Sequence, residues 1–240
     1  MAGHSKWHSI RHKKAANDVK RGKVLTKHSK ILMVLARNDA NPDTNASLRS
    51  AIVNAKSDGV PRDNSERILK KASGEGKDGA QFTEQLYEGF GPDGVPVLIQ
   101  ALTDNSNRTL PEVRTAFDKA GGNFGSSGSV RFLFDHLGVI HIKTNGKSED
   151  QVFDCLIEAG ADNFEYGKET CLVMTQFEDL GKVRTVLESD FEIEKAEPIY
   201  QAKDPILLAS AKKIESFIER IEEVDDVDEV FAGFQVSVGV

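Results

Sequence analysis

The sequence predicts an α+β protein: an N-terminal three-helix domain, then two α/β domains, one of them ferredoxin-like and inserted into the other. Three observations carry this. Helical spacing of apolar residues dominates residues 1–76. A polar, glycine-rich stretch then gives way to short β-rich runs. Residues 138–200 read β-α-β-β-α-β, the ferredoxin-like order. Segments 80–134 and 203–240 on either side of that block are left to complete one α/β domain.

In chain order, residues 1–16 show no apolar periodicity and are expected to form an arm. A helix starts at Asp18, with Val24, Leu25, His28, Ile31, Leu32 and Leu35 on one stripe. Lys20, Lys23, Lys27 and Lys30 fall on the other side, giving a buried stripe and a cationic face. Asn38–Thr44 is a loop, and a second helix runs from about Asn45 to Ser57 with Leu48, Ala51, Ile52 and Ala55 inward. Gly59 and Pro61 end it. Asp63 and Glu66 read as the capping box of a third helix whose apolar side is Ile68, Leu69 and Ala72. Ser73–Gly79 is a linker.

Phe82–Phe90 and Val95–Leu102 are strands around a Gly91-Pro92-Asp93-Gly94 turn. Thr109, with Glu112 three residues on, caps a helix that ends at Gly121-Gly122. Asn123–Ser129 is a loop and Val130–Phe134 a strand. Within 138–200 the elements are Val139–Lys143, Glu149–Ala159, Asn163–Tyr166, Thr170–Thr175, Asp179–Glu188 and Glu192–Ile199. Ser148 and Gln151 cap the first of its helices. Ile206–Ile221 reads as an amphipathic helix, Val227–Val230 as a last strand, and the tail to Val240 as loose.

Charge is distributed unevenly. Residues 1–37 hold ten Lys or Arg against one acid, Asp18, in a chain whose net charge is −7. Residues 1–75 carry net +9 and residues 76–240 net −16. Such an inversion points to polyanion binding through counterion release, although the whole-chain pI is about 5.5. The expected phosphate contacts are Lys6, Arg11, Lys13, Lys14, Lys20, Arg21, Lys23 and Lys27, with His4 and Trp7 beside them. Trp7 is the only aromatic residue before Phe82, whereas a single-strand stacking platform normally uses several. Recognition of phosphates or shape, on DNA or on structured RNA, is therefore expected, with a protein-interaction scaffold built on the acidic α/β domains as the remaining alternative.

Several motifs lead elsewhere and fail. Gly89-Phe90-Gly91-Pro92-Asp93-Gly94 matches a dinucleotide fingerprint, but a strand follows it and Pro92 lacks an amide hydrogen, so a hairpin turn is expected. His4, His8 and His12 are spaced by four, but cations surround them and no carboxylate precedes Asp18, so no metal is expected. His28, within the apolar stripe, reads as a packing residue. Asp104–Arg108 breaks the calcium-loop pattern, since Arg108 falls on a ligand position. Asn105, Asn107 and Arg108, and separately Ser126 and Ser127 in a Gly-Ser loop, are kept as secondary candidates. Glu219–Glu229 holds seven acids and one base and reads as the solvated end of a helix; shielding of the basic domain is the alternative. Helices two and three have roughly helix-turn-helix spacing, a minority reading against a plain bundle. No recognisable nucleophile–base or metalloprotease arrangement occurs, so no enzyme and no cofactor are expected. Cys155 and Cys171 form no disulfide framework, no run is long enough to span a membrane, and the residues before Ile31 lack a secretory apolar core. A cytoplasmic setting fits these features.

Ala2-Gly3-His4-Ser5-Lys6-Trp7, Lys13-Lys14-Ala15-Ala16, Lys20-Arg21-Gly22-Lys23, Pro42-Asp43-Thr44-Asn45, Tyr87–Pro92, Thr103-Asp104-Asn105, Asn107-Arg108-Thr109, Gly121-Gly122-Asn123 and Gly128-Ser129-Val130 together resemble the YebC/PmpR family over nearly the whole length. The resemblance implies an N-terminal helical domain and two α/β domains, one inserted in the other. It also implies a non-enzymatic regulator, described for bacterial members as DNA-binding and transcriptional. A mitochondrial relative is a translational activator, and bacterial members have been linked to the ribosome. The sequence departs from the family at His28-Ser29 and Asn38–Asn41, so the shape of the first interhelical loop is not carried over.

Overall fold

The computed structural model describes residues 18–37, 39–73 and 82–237. The expected arm, residues 1–16, lies outside them, and so does most of the expected linker. Three helices come first: α1 (Asp18–Ala36), α2 (Ala46–Ser57) and α3 (Arg62–Ser73). Their shared core is Leu32, Ala36, Leu48, Ala51 and Ile68, the stripe that helical spacing picked out. Asn45 closes the turn between α1 and α2. Its Nδ2 donates to Leu35 O and Asp39 O, at 2.9 and 2.8 Å, while its Oδ1 accepts from Leu48 N. One amide thus caps the start of α2 and ties down the end of α1.

The first sheet has the order β3-β1-β2-β9, from β1 (Thr83–Phe90), β2 (Pro96–Thr103), β3 (Asn123–Phe124) and β9 (Val227–Ala232). All its pairings are antiparallel. One face packs on α4 (Ser106–Lys119) and α7 (Lys212–Ile221) through Val97, Ile99, Val113, Phe117, Ile214 and Phe217. The other buries Leu98 and Phe231 against Val130, Phe134, Ile199 and Tyr200. Because β2 is covered on both faces, its sequence is a nearly continuous apolar run rather than an alternating one.

The second sheet comes from the segment between: β4 (Phe134–Lys143), β5 (Asn163–Tyr166), β6 (Thr170–Gln176) and β7 (Ile193–Ala202), in the order β5-β6-β4-β7. It is antiparallel throughout and carries α5 (Glu149–Ala159) and α6 (Leu180–Leu187) over one face. This is the ferredoxin-like arrangement expected of the β-α-β-β-α-β order. The last helix and strand of the chain return to the first sheet. A separate parallel pair, β8 (Ile206–Leu208) and β10 (Phe234–Val236), packs against the same core.

The structure corrects several boundaries. Helix α4 begins at Ser106, because Asn105, and not Thr109, is its cap: Asn105 Oδ1 accepts from Arg108 N, and Thr109 is buried inside the helix. Asp63 caps nothing. Pro61 O accepts the first amides of α3, and Glu66 pairs with Arg62. Residues 131–133 form a 3-10 turn and the strand starts only at Phe134. Residues 206–208 are a strand, so the amphipathic helix is shorter than its apolar pattern; alternation and helical spacing coincide over so few residues. The tail is ordered as a strand to Val236. The Gly91–Gly94 segment is the expected hairpin turn, with Asp93 and Gly94 both at positive φ.

Candidate nucleic-acid interface

The cationic helix is α1. Its apolar side docks on α2 and α3, and His28 is buried there with Nε2 2.9 Å from Asp58 Oδ2, a packing role as expected. The other side does not face solvent as the sequence implied. Lys23 Nζ donates to Glu223 O at 2.6 Å, and Lys27 Nζ lies 3.1 Å from both Asp228 Oδ1 and Asp228 O. Lys30 Nζ reaches Asp226 Oδ1 at 2.7 Å and the carbonyls of Leu102 and Asp225 at 3.2 and 3.3 Å. The acidic stretch after α7 therefore meets the basic face of α1. Shielding, the less favoured reading of Glu219–Glu229, describes this contact better than a solvated helix end.

Asp226 is the centre of that contact and is 5% exposed. Its Oδ2 accepts from Arg108 Nη2 at 2.7 Å, Thr109 Oγ1 at 2.7 Å and Thr103 Oγ1 at 3.1 Å. Burial alone would raise its pKa. Bonds from Arg108, Lys30 and Thr109, with the charge of Lys30, outweigh burial and hold the carboxyl well below the usual carboxylate range. The helical domain also touches the second sheet. Asn54 on α2 acts as one more strand residue at the β7 edge: Nδ2 donates to Ala196 O at 2.7 Å and Oδ1 accepts from Ala196 N at 3.0 Å. The buried Arg184 of α6 donates to Ser50 Oγ at 2.6 Å.

The candidate residues are thus distributed as follows. His4, Lys6, Trp7, Arg11, Lys13 and Lys14 lie outside the described residues. Lys20 and Arg21 are on the first turn of α1. Lys23 and Lys27 are turned onto residues 222–228. Asn105 is spent as a helix cap, and Arg108 is bound to Asp104 and Asp226, while Asn107 is exposed. Ser126 and Ser127 are exposed on a loop that a buried carboxylate holds. Glu88 Oε1 accepts from Gly128 N at 2.6 Å, and Oε2 accepts from Val130 N at 2.8 Å and Arg131 N at 2.9 Å. Burial alone would raise the Glu88 carboxyl. The three amides, with the charge of Arg131, bring it below its ordinary value instead. Ser126 also lines a shallow groove with Arg114, Asp118, Asn123 and Phe124.

Sequence reasoning left Lys30 out of the candidate set and gave Asp226 and Glu88 no role. The run Lys23, Lys27, Lys30 at helical spacing, together with a seven-acid segment elsewhere, was the available signal for the first two. Glu88 was marked only as part of the Tyr87–Pro92 stretch that carries the family resemblance, with no role attached. No group of three or more metal-type ligands occurs among the described residues, and no described helix is long and apolar enough to cross a membrane.

The fold and this contact define a class: a basic helical domain fastened by its own lysines onto an acidic body of two sheets. Family models agree in extent with that division. The TACO1/YebC protein N-terminal domain matches residues 5–75, and the TACO1/YebC second and third domain matches residues 82–234. The chain belongs to the TACO1/YebC family. It is 43% identical to a "probable transcriptional regulatory protein" of Saccharopolyspora erythraea, over 99% of this chain and 96% of that one. A protein of the same description from Finegoldia magna is 39% identical over 96% and 97%. The crystal structure of a conserved hypothetical protein from Aquifex aeolicus superposes with a TM-score of 0.81 at 38% identity, covering 96% of this chain and 97% of that one.

Proposed function

We propose that this chain is a non-enzymatic, cytoplasmic regulator of gene expression that binds nucleic acid through its basic N-terminal segment. The observation that carries this is the excess of ten cations over one acid in residues 1–37, against net −16 in residues 76–240. Lys6, Arg11, Lys13, Lys14, Lys20 and Arg21, with His4 and Trp7, form the proposed contact with phosphate. Lys23 and Lys27 instead hold α1 on the acidic segment, which orients the domain. That segment repels a polyanion and confines it to the opposite side. No cofactor, metal or small-molecule substrate is part of this reading.

Replacing Lys6, Lys13, Lys14 and Lys20 together by Glu should weaken binding to any sequence and flatten its salt dependence, by about one unit of log–log slope per lost contact. Unchanged affinity and slope, measured by fluorescence anisotropy across salt concentrations, would overturn the proposal. The names of the relatives favour DNA and transcription. The lack of an evident base-reading set on α3 favours RNA, including the ribosome. Sucrose-gradient sedimentation of cell extract, with and without nuclease, separates these readings. Migration with ribosomes supports the second; salt-resistant preference for one promoter over random duplex supports the first.

A further inference from the structure

At one end of the second sheet, three rings stack in parallel. His136 lies 3.9 Å from Phe177, at 20° between planes, and 4.4 Å from Tyr200, at 10°. Tyr200 then meets Phe231 edge-on at 5.3 Å, which anchors the row in the core between the sheets. The outer end of the row is Phe177, 40% exposed and outside every core cluster of the described residues. Elsewhere ring pairs are tilted or near-perpendicular: Tyr87 meets Phe124 at 45°, and Phe117 meets Phe217 at 85° and Phe124 at 88°. Parallel stacking is how nucleobases pack, whereas side chains among themselves also take edge-to-face contacts.

The same end of the sheet carries a second exposed ring. The register places Phe134 opposite Ala202 and Leu137 opposite Gln176, so the turns before β4 and after β6 and the end of β7 come together. Phe132, in the Arg131–Leu133 turn, is 66% exposed and also belongs to no core cluster. Its backbone is rigid, because Glu88 holds the amides of Val130 and Arg131, and Lys203 N donates to Leu133 O at 2.9 Å. Arg131 is exposed, and its guanidinium makes no ion pair with a described residue. The other charges at this end include Lys203 with Asp135, paired at 3.5 Å, Glu178 and Asp179 in the turn of Phe177, Glu84 near Tyr200, and the buried Glu88 near Arg131. Burial, with the nearby Arg131, lowers the pKa of His136 and favours a neutral, stackable imidazole.

We infer that this end of the second sheet is a site for unpaired bases of a single-stranded nucleic acid, with Phe177 and Phe132 as stacking surfaces and Arg131 on the adjoining phosphate. This end has no excess of cations, so stacking rather than counterion release supplies the affinity. The inference rests on the nucleic-acid reading above but uses residues remote in sequence from the arm.

The test uses the full chain and two probes: a short oligouridine carrying one aminopurine nucleotide, and an RNA duplex of similar length. Aminopurine fluorescence should be quenched on binding. Phe132→Ala and Phe177→Ala should each reduce the quenching and weaken single-strand binding by roughly five- to a hundredfold, leaving duplex binding unchanged. Phe177→Trp should retain both. Phe132 is surface-exposed, so its variant reports even if Phe177→Ala disturbs packing. Unchanged quenching and affinity in Phe132→Ala, or an equal loss on both probes, overturns the site. Loss on the Phe variants with none on the arm lysine variants overturns the arm and leaves this site standing. A wild-type chain that does not bind the oligouridine overturns this site, and one that binds neither RNA probe nor a DNA duplex overturns the arm as well.

Discussion

Asp226 shows how much one buried carboxylate can organise. Four side chains from three separated segments converge on it: Lys30, Thr103, Arg108 and Thr109. Asp226→Asn would leave two cations facing a neutral amide, so a loss of about 3–5 kcal/mol is expected, as for other broken buried pairs. Chemical denaturation measures the loss, and limited proteolysis would show the helical domain released first. The pH sign follows from the depressed folded-state pKa. The contribution is fully present above the unfolded carboxylate value near ~4 and is lost as pH falls below it toward the folded value. Acid titration should therefore loosen the contact only below about pH 4. Stability falling between pH 8 and 6 instead, as about His pKa values dictate, would contradict this. Glu88 works on a smaller scale. Glu88→Gln replaces one acceptor by an amide NH2 that opposes a backbone N–H, and a cost of roughly 1–3 kcal/mol is expected. Hydrogen exchange at Gly128, Val130 and Arg131 should accelerate before that of β4.

At the scale of elements, α1 is the instructive case. Its apolar stripe was legible from spacing, and the core Leu32, Ala36, Leu48, Ala51 and Ile68 follows from it. Its other face looked free because lysines on a helix are usually solvated. What binds them are chiefly the carbonyls and carboxylates of residues 222–228, just after α7 and about 200 residues later, where the negative end of the helix adds to the charge of the acids. The second sheet was legible because its elements follow one another with short connections. Asn54 was not, since a single amide extending the β7 edge has no pattern in sequence. Asn54→Ala leaves Ala196 N and O without their partner. The variant should lose about 1–3 kcal/mol, readable as a lower Tm, with faster exchange at Ala196. Asn54→Asp should restore only the bond accepted from Ala196 N.

For the whole molecule, the charge inversion has two consequences. It leaves residues 1–37 as the basic end of an acidic sequence, and it holds α1 against the body through Lys23, Lys27 and Lys30. The sequence by itself determined the fold class, the three-helix start, the ferredoxin-like order and the cation excess, because periodicity and charge are local sums over neighbouring residues. Only the tertiary structure decided which lysines are engaged, where Asn105 and Arg108 are spent, and that His136, Phe177 and Tyr200 form one stack. Those facts depend on contacts between segments far apart in the chain, formed when burial brings them together, and no local pattern encodes such a pairing.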